Sequence, residues 1–346
     1  MTSALTLRIL TATLLTAILS PAAGASETSL KLPTVNEHLY GDDGSKFYMW
    51  VPRVFEGKTS RPWTAGKYGF VRTLRRTEDG VIGTKFHEGI DIKPIKRDRS
   101  QNPLDAVNAL AAGTVAYVNP YAGNSNYGKY VVVKHNWQSG PIYSLYAHLS
   151  TTEVKTGQVV KQGQKLGKMG YTGRGINRER SHVHLELDLM ISSRFNTWHN
   201  KSFGSKNHHG LHNGLNMSGM DIAELLLQQK KNPNLTIPAF FATIPVYYKI
   251  TVPRKGPLEI VQRYPWMAKG DHRTRTPSWE ISFSQSGLPL AVSPSKRSVP
   301  APRVTSVKKC LSKHEYHTKG LLTGTGHRAS LTRIGLRYLS LVTGEF

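Results

Sequence analysis

Ser181-His-Val-His-Leu-Glu-Leu-Asp188 decides how the rest of the chain is read. His182 and His184 lie two residues apart in a run of β-favouring residues. On a strand, positions i and i+2 share a face, roughly 6.6 Å apart at about 3.3 Å per residue. Leu185 and Leu187 face the other way, so the two imidazoles make a poor core and a natural metal cradle. Far upstream, Lys85-Phe-His-Glu-Gly-Ile-Asp-Ile-Lys-Pro94 carries His87 and Asp91, four residues apart. A straight strand would hold their Cα atoms about 13 Å apart, near the limit for one shared ion. Gly89 lets the chain bend and close that gap, and with the Ile-Lys-Pro continuation it argues against a helix. A catalytic zinc takes three protein ligands plus water. His87, Asp91 and His184 are expected to converge on one zinc ion, which would leave His182 and a further histidine, His148, for proton chemistry.

Outward from this stretch the pattern is short β segments punctuated by glycine turns. Gly113–Val118, Tyr130–His135 and Ile142–His148 read as strands, with Trp137-Gln-Ser-Gly-Pro141 as the hairpin between the last two. Gly157–Gly167 reads as strand-turn-strand, and Gly170-Tyr-Thr-Gly-Arg-Gly175 as a flexible loop. Turn signals every eight to twelve residues predict an all-β sheet and not βαβ units. Asn196–Gly219, rich in Asn, Gly and His, reads as a long loop. Asp221–Lys231 is the clearest helix, with Asp221 and Glu224 at its start and two lysines at its end. Beyond Asn232-Pro-Asn234, strands are expected at Val246–Val252, Trp279–Phe283 and Leu336–Val342, with Ser293–Pro302 as a linker. The domain division is thus an export signal at 1–25, an N-terminal extension at 26–64, a β domain with a C-terminal helix at 65–232, and a smaller basic β-rich region at 233–346.

The signal is read from Arg8, the apolar run Ile9–Leu19 and Ala23-Gly-Ala25. The run is too short to span a bilayer and is followed by an Ala-x-Ala cleavage pattern; an uncleaved anchor is the alternative. No other apolar run approaches 18 residues, so no transmembrane segment is expected in the mature chain. Cys310 is the only cysteine, which excludes an internal disulfide. An exported, disulfide-free chain suits the periplasm or extracellular space. The formal net charge is +24 across 346 residues, and residues 233–346 hold 17 Lys/Arg against 5 Asp/Glu. Behind an export signal the matching polyanions are cell-envelope polymers, with no nucleic acid expected; a merely solvated basic surface is the alternative.

Residues 65–200 resemble the zinc peptidases of the lysostaphin and LytM type, the M23 peptidases. The resemblance rests on His87-x-x-x-Asp91, Tyr146-Ala-His-Leu149, His182-Val-His184, the glycine-bracketed unit 157–167 and Gly170-Tyr-Thr-Gly173. It implies an antiparallel β-sheet groove, with His87, Asp91 and His184 as zinc ligands and His148 and His182 as catalytic residues. Ser181 stands where many members have proline, and Gly80–Phe86 lacks the tyrosine that some members carry ahead of the first ligand. The implied function is a zinc endopeptidase acting on peptidoglycan cross-links or stem peptides. The alternative is a non-catalytic envelope regulator that binds and activates another hydrolase. Of the remaining polar residues, Glu186 is read as an acceptor holding an imidazole N–H, Glu88 as turned to the opposite face from His87, and His135 as lining the groove wall or bracing a neighbour. His208-His-Gly-Leu-His212 reads as an exposed loop and not a second metal site.

Overall fold

The two largest sheets, of seven and four strands, are antiparallel, and the expected mainly-β architecture is what the structure, a computed structural model, contains. It describes residues 30–346; the export signal read at 1–25 lies outside them. In the first sheet β4 (Gly113–Asn119), β5 (Lys129–Trp137) and β6 (Gly140–Leu149) form a meander. β8 (Val183–Met190) joins the free edge of β6, and β7 (Val159–Val160) closes the opposite edge on β4. A two-stranded hairpin, β1 (Gly69–Thr77) with β2 (Gly80–His87), leads into β3 (Ile90–Ile92), which pairs with β8. β9 (Met217–Gly219) pairs further along β8.

Alternation explains why β8 is central. Val183, Leu185, Leu187 and Leu189 enter the main core, while His184, Glu186 and Asp188 share the other face, and all are buried. Gly89, between β2 and β3, passes so close to β8 that a Cβ there would lie 2.2 Å from the Leu185 carbonyl. This close approach, as well as the bend, requires glycine.

Several elements depart from the sequence reading. The two strands of the 157–167 unit do not pair with each other: Val159–Val160 joins β4, whereas Lys165–Lys168 pairs with Ala106–Asn108 and Thr151–Thr152. The 196–219 loop contains α1 (Phe195–Ser202), a 3₁₀ turn at Gly210–His212 and β9. Polar residues hid the helical spacing of Phe195 and Trp198, both buried, and no side chain caps the helix start. Asp221 caps α2 (Ile222–Lys231) through the Glu224 amide.

A second, four-stranded sheet in the order β12–β11–β10–β13 comprises β10 (Tyr248–Pro253), β11 (Ser278–Phe283), β12 (Pro289–Ser295) and β13 (Arg303–Val307). The expected linker 293–302 is therefore partly strand, and its remainder is a connection within one sheet. Leu336–Val342, expected as a strand, lies in the helix α3 (Arg333–Thr343). Thr332 caps its start through the Gly335 amide, and Gly344 ends it at φ 73°. Leu339 and Val342, three residues apart, are buried on it. One contiguous core runs from Phe47 through Leu187 and Leu225 to Trp279 and Leu339, so the C-terminal region packs on the first sheet.

Candidate metal centre

Strand register assembles the centre. His184 on β8 lies opposite Asp91 of β3 on one side and Ala147 of β6 on the other. His87 ends β2, and His148 follows Ala147 at φ 63°, a left-handed conformation uncommon for a side-chain-bearing residue. His182 sits just before β8, held by its amide to the Gly170 carbonyl at 3.2 Å.

Three donor atoms meet: His87 Nε2 and His184 Nδ1 are 3.0 Å apart, and Asp91 Oδ1 lies 3.1 Å from the first and 2.9 Å from the second. The other ring nitrogens point outward. His87 Nδ1–H donates to the Lys67 carbonyl at 2.8 Å, and His184 Nε2–H donates to Glu186 Oε1 at 2.7 Å. With those protons spent outward, the inner face of the neutral rings presents two bare nitrogens and a carboxylate oxygen, all acceptors. Three acceptors at this separation repel one another unless a cation sits among them. A proton on His184 can serve, and a divalent metal fits the same His/His/Asp donor set. The protonation balance reflects this. Burial alone would push His184 down, but its hydrogen bonds and the charges of Asp91 and Glu186 hold it up at about 9. Burial would raise Asp91, yet His87, His182 and Arg72 hold it well below the usual carboxylate range.

The other two histidines flank these three. His148 Nδ1–H donates to the Thr172 carbonyl at 2.9 Å, and His182 Nδ1–H to the Arg180 carbonyl at 2.6 Å, so each leaves a bare Nε2. Their rings are 4.8 Å apart, and His182 Nε2 is 3.4 Å from Asp91 Oδ1. Burial first, then the neighbouring His182 and His184, push His148 well below the ordinary histidine value, which keeps it neutral.

Two contributors were missed in the sequence. Arg72, on β1, binds Asp91 Oδ2 at 2.6 Å. Tyr127, from the loop before β5, donates its hydroxyl to Glu186 Oε1 at 2.8 Å and lays its ring 5.7 Å from that of His184. Neither shares a spacing motif with the histidines, so only the fold brings them in. Glu186 is the acceptor expected of it. Glu88 flanks the cleft and pairs with Lys319 at 3.1 Å.

His135 is a brace and not part of the groove wall: fully buried, it bonds the Ala112 carbonyl and Ser144 Oγ, both at 2.8 Å. In the 208–212 cluster His208 is exposed, whereas His209 is buried between Tyr117 and Asn124 and His212 stacks on Tyr117. Tyr117 thus touches both His209 and His212, and among the described residues these histidines form no ligand group for an ion. The five site residues line a cleft of about 1100 Å³, whose lining also includes Arg53, Lys85, Arg174 and Lys206.

Among the described residues no helix is long and apolar enough to cross a membrane. The chain is similar over 138 residues, at 45% identity, to the cell division protein DipM of Caulobacter vibrioides, covering 38% of this chain and 20% of that one. It is 35% identical over 126 residues to the murein hydrolase activator NlpD of Escherichia coli, covering 36% of this chain and 26% of the relative. The chain thus spans about a quarter or less of the length of these relatives. Among solved structures, the catalytic domain of lysostaphin from Staphylococcus simulans is 25% identical with a TM-score of 0.25, covering 35% of this chain and 75% of that domain. Residues 85–195, the stretch running from the start of the first histidine motif past the end of β8, match the model of peptidase family M23.

Proposed function

We propose that this chain is an exported zinc endopeptidase that hydrolyses peptide bonds in peptidoglycan cross-links or stem peptides. The observation that carries this reading is the meeting of His87 Nε2, Asp91 Oδ1 and His184 Nδ1 within 3.1 Å of one another, beside the imidazoles of His148 and His182, whose Nδ1–H groups are tied to backbone carbonyls. His87, Asp91 and His184 would hold the ion. When bound, zinc supplies Lewis acidity to the scissile carbonyl and lowers the pKa of water toward neutrality.

The chain's own residues do the rest. Glu186 and the Lys67 carbonyl fix the tautomers of His184 and His87, and Arg72 fixes the carboxylate of Asp91. His148, buried and neutral, is suited to accept a proton at Nε2 and return it to the leaving amine, since Thr172 secures its Nδ1–H. His182 protonated at Nε2 as well would donate from that nitrogen to the carbonyl oxygen. Arg53, Lys85, Arg174 and Lys206 along the cleft suit a substrate rich in carboxylates, as stem peptides are. Fivefold convergence in one cleft favours the enzyme. A regulator that only activates another hydrolase is the second reading, and the similarity to proteins named murein hydrolase activator favours it.

The test is digestion of purified sacculi by the mature chain, with wild type and His184→Ala compared and metal content measured. Soluble fragments from wild type, lost with chelator and absent in the variant, support the peptidase. A folded, zinc-loaded wild type that releases nothing alone but stimulates a partner hydrolase overturns it in favour of the regulator. The excess of cations at 233–346 supports attraction to anionic envelope polymers. Binding of the full chain to walls should then weaken as salt rises, and salt-independent binding would count against it.

A further inference from the structure

A second cluster of metal-binding side chains lies away from the cleft. Cys310, His314 and His317 follow the spacing C-x3-H-x2-H in the C-terminal region, and Asp79 comes from the turn between β1 and β2. A donor atom from each of Asp79, Cys310 and His317 lies within 4.8 Å of the other two. His317 Nε2 is 3.3 Å from Asp79 Oδ2, a separation typical of two ligands on one ion. His314 and His317 begin and end one 3₁₀ turn, in which positions i and i+3 eclipse. His314 Nδ1 stands 3.2 Å from Cys310 Sγ.

The surroundings build the cluster firmly. The Cys310 carbonyl accepts the Gly326 amide at 2.9 Å, and Cys310 is buried, 8% exposed. Asp79 is held by the Leu311 and Ser312 amides at 2.9 and 2.8 Å, which aim its carboxylate at the cysteine's own loop. His314 is fully buried, with Tyr247 OH 3.2 Å from its Nδ1. Thiolate, imidazole and carboxylate donors meeting in a half-buried pocket are the ligand types of borderline-soft divalent ions, zinc first among them.

We propose that Asp79, Cys310 and His317 form a second, structural zinc site, with His314 against the sulfur. It fastens residues 310–317 to the tip of the β1–β2 hairpin. The same hairpin carries Arg72 and ends at His87, so the clasp ties the C-terminal region to the elements that hold the first centre. Binding replaces the thiol proton, which passes to solvent, by a sulfur–metal bond.

Full-length mature wild type, Cys310→Ser, His317→Gln and His184→Ala are each loaded with Zn²⁺ or Co²⁺, desalted and assayed for metal. The expected stoichiometry is two ions in wild type and one in each variant. With Co²⁺, a thiolate-to-metal charge-transfer band is expected in wild type and His184→Ala and absent in Cys310→Ser. In the His184→Ala background, added Zn²⁺ should raise the unfolding midpoint, and the further change Cys310→Ser should abolish that rise. If Cys310→Ser misfolds, His317→Gln provides the second reading, since it leaves the sulfur in place. A wild type without the cobalt–thiolate band, whose only ion is lost with His184, would overturn the proposal and leave a hydrogen-bonded clasp. The spectrum reads the sulfur alone, so it is independent of whether the chain cleaves peptidoglycan.

Discussion

Arg72 Nη2 lies 2.6 Å from Asp91 Oδ2, while the other oxygen of the same carboxylate faces His87, His182 and His184. Arg72 also donates from Nε to the Ala65 carbonyl at 3.0 Å, so the guanidinium is fixed at both ends. It therefore sets the rotation of Asp91 and leaves Oδ1 as the inward donor. Arg72→Ala should weaken zinc binding about 10- to 100-fold, the usual cost of losing a partner of a metal ligand. Chelator-competition titration of the folded variant checks this, and unchanged affinity would reduce Arg72 to a bystander. Lysine should not restore full affinity, because it cannot hold Asp91 and Ala65 together as a planar fork does.

His148 offers a different signature. It touches none of the three inward donors by hydrogen bond, and its Nδ1 is committed to Thr172. His148→Ala should leave zinc content unchanged and lower kcat by about 10²- to 10⁴-fold, the range for a lost acid–base group. Loss of metal together with activity would assign His148 a structural role instead.

The legibility of the chain follows the range of the interactions. The meander, β8 and α2 were readable because strand alternation and capping are local signals, and Asp221 with Glu224 is such a signal. The histidine motifs were readable because each lies within five residues. Arg72 and Tyr127 were not, because their roles arise from tertiary contacts 19 and 59 residues away in sequence. The Leu336–Val342 run misled because a short apolar run fits a strand as well as a helix. What decides it is the cap Thr332 and the left-handed Gly344 on either side. Cys310 read as a lone thiol because its companion Asp79 is more than two hundred residues upstream.

Asp188 continues the polar face of β8 beyond Glu186, and neither of its oxygens meets a donor. Burial first, then the charges of Glu186 and Glu88, push its carboxyl well above the usual range. A folded-state pKa raised above the unfolded value means that the stability this carboxyl contributes is complete below about pH 4 and is lost as pH rises from there. Asp188→Asn removes that titration. The variant should be more stable than wild type at pH 7, by about 2 kcal/mol for an unpaired buried acid, and the gap should close toward pH 4. Unfolding midpoints at both values test this, and a gap independent of pH would contradict it.

His135 gives the opposite sign. Its Nδ1 lies 2.8 Å from the Ala112 carbonyl and its Nε2 2.8 Å from Ser144 Oγ, and Trp137 stacks on the ring at 5.0 Å. Burial pushes its pKa down to about 4. The fold thus binds the neutral ring, and this contribution is complete above the unfolded value of about 6.5 and is lost as pH falls toward about 4. Over that window the loss approaches about 3 kcal/mol, at 1.36 kcal/mol per pH unit. His135→Gln cannot titrate, so the stability difference between wild type and variant should shrink by this amount from pH 7 to pH 4. Every other group titrates in both proteins and cancels, which makes the difference specific to one ring. Parallel stability curves across the window would mean that the His135 pocket admits the imidazolium, and that its bonds to Ala112 and Ser144 do not hold the neutral form.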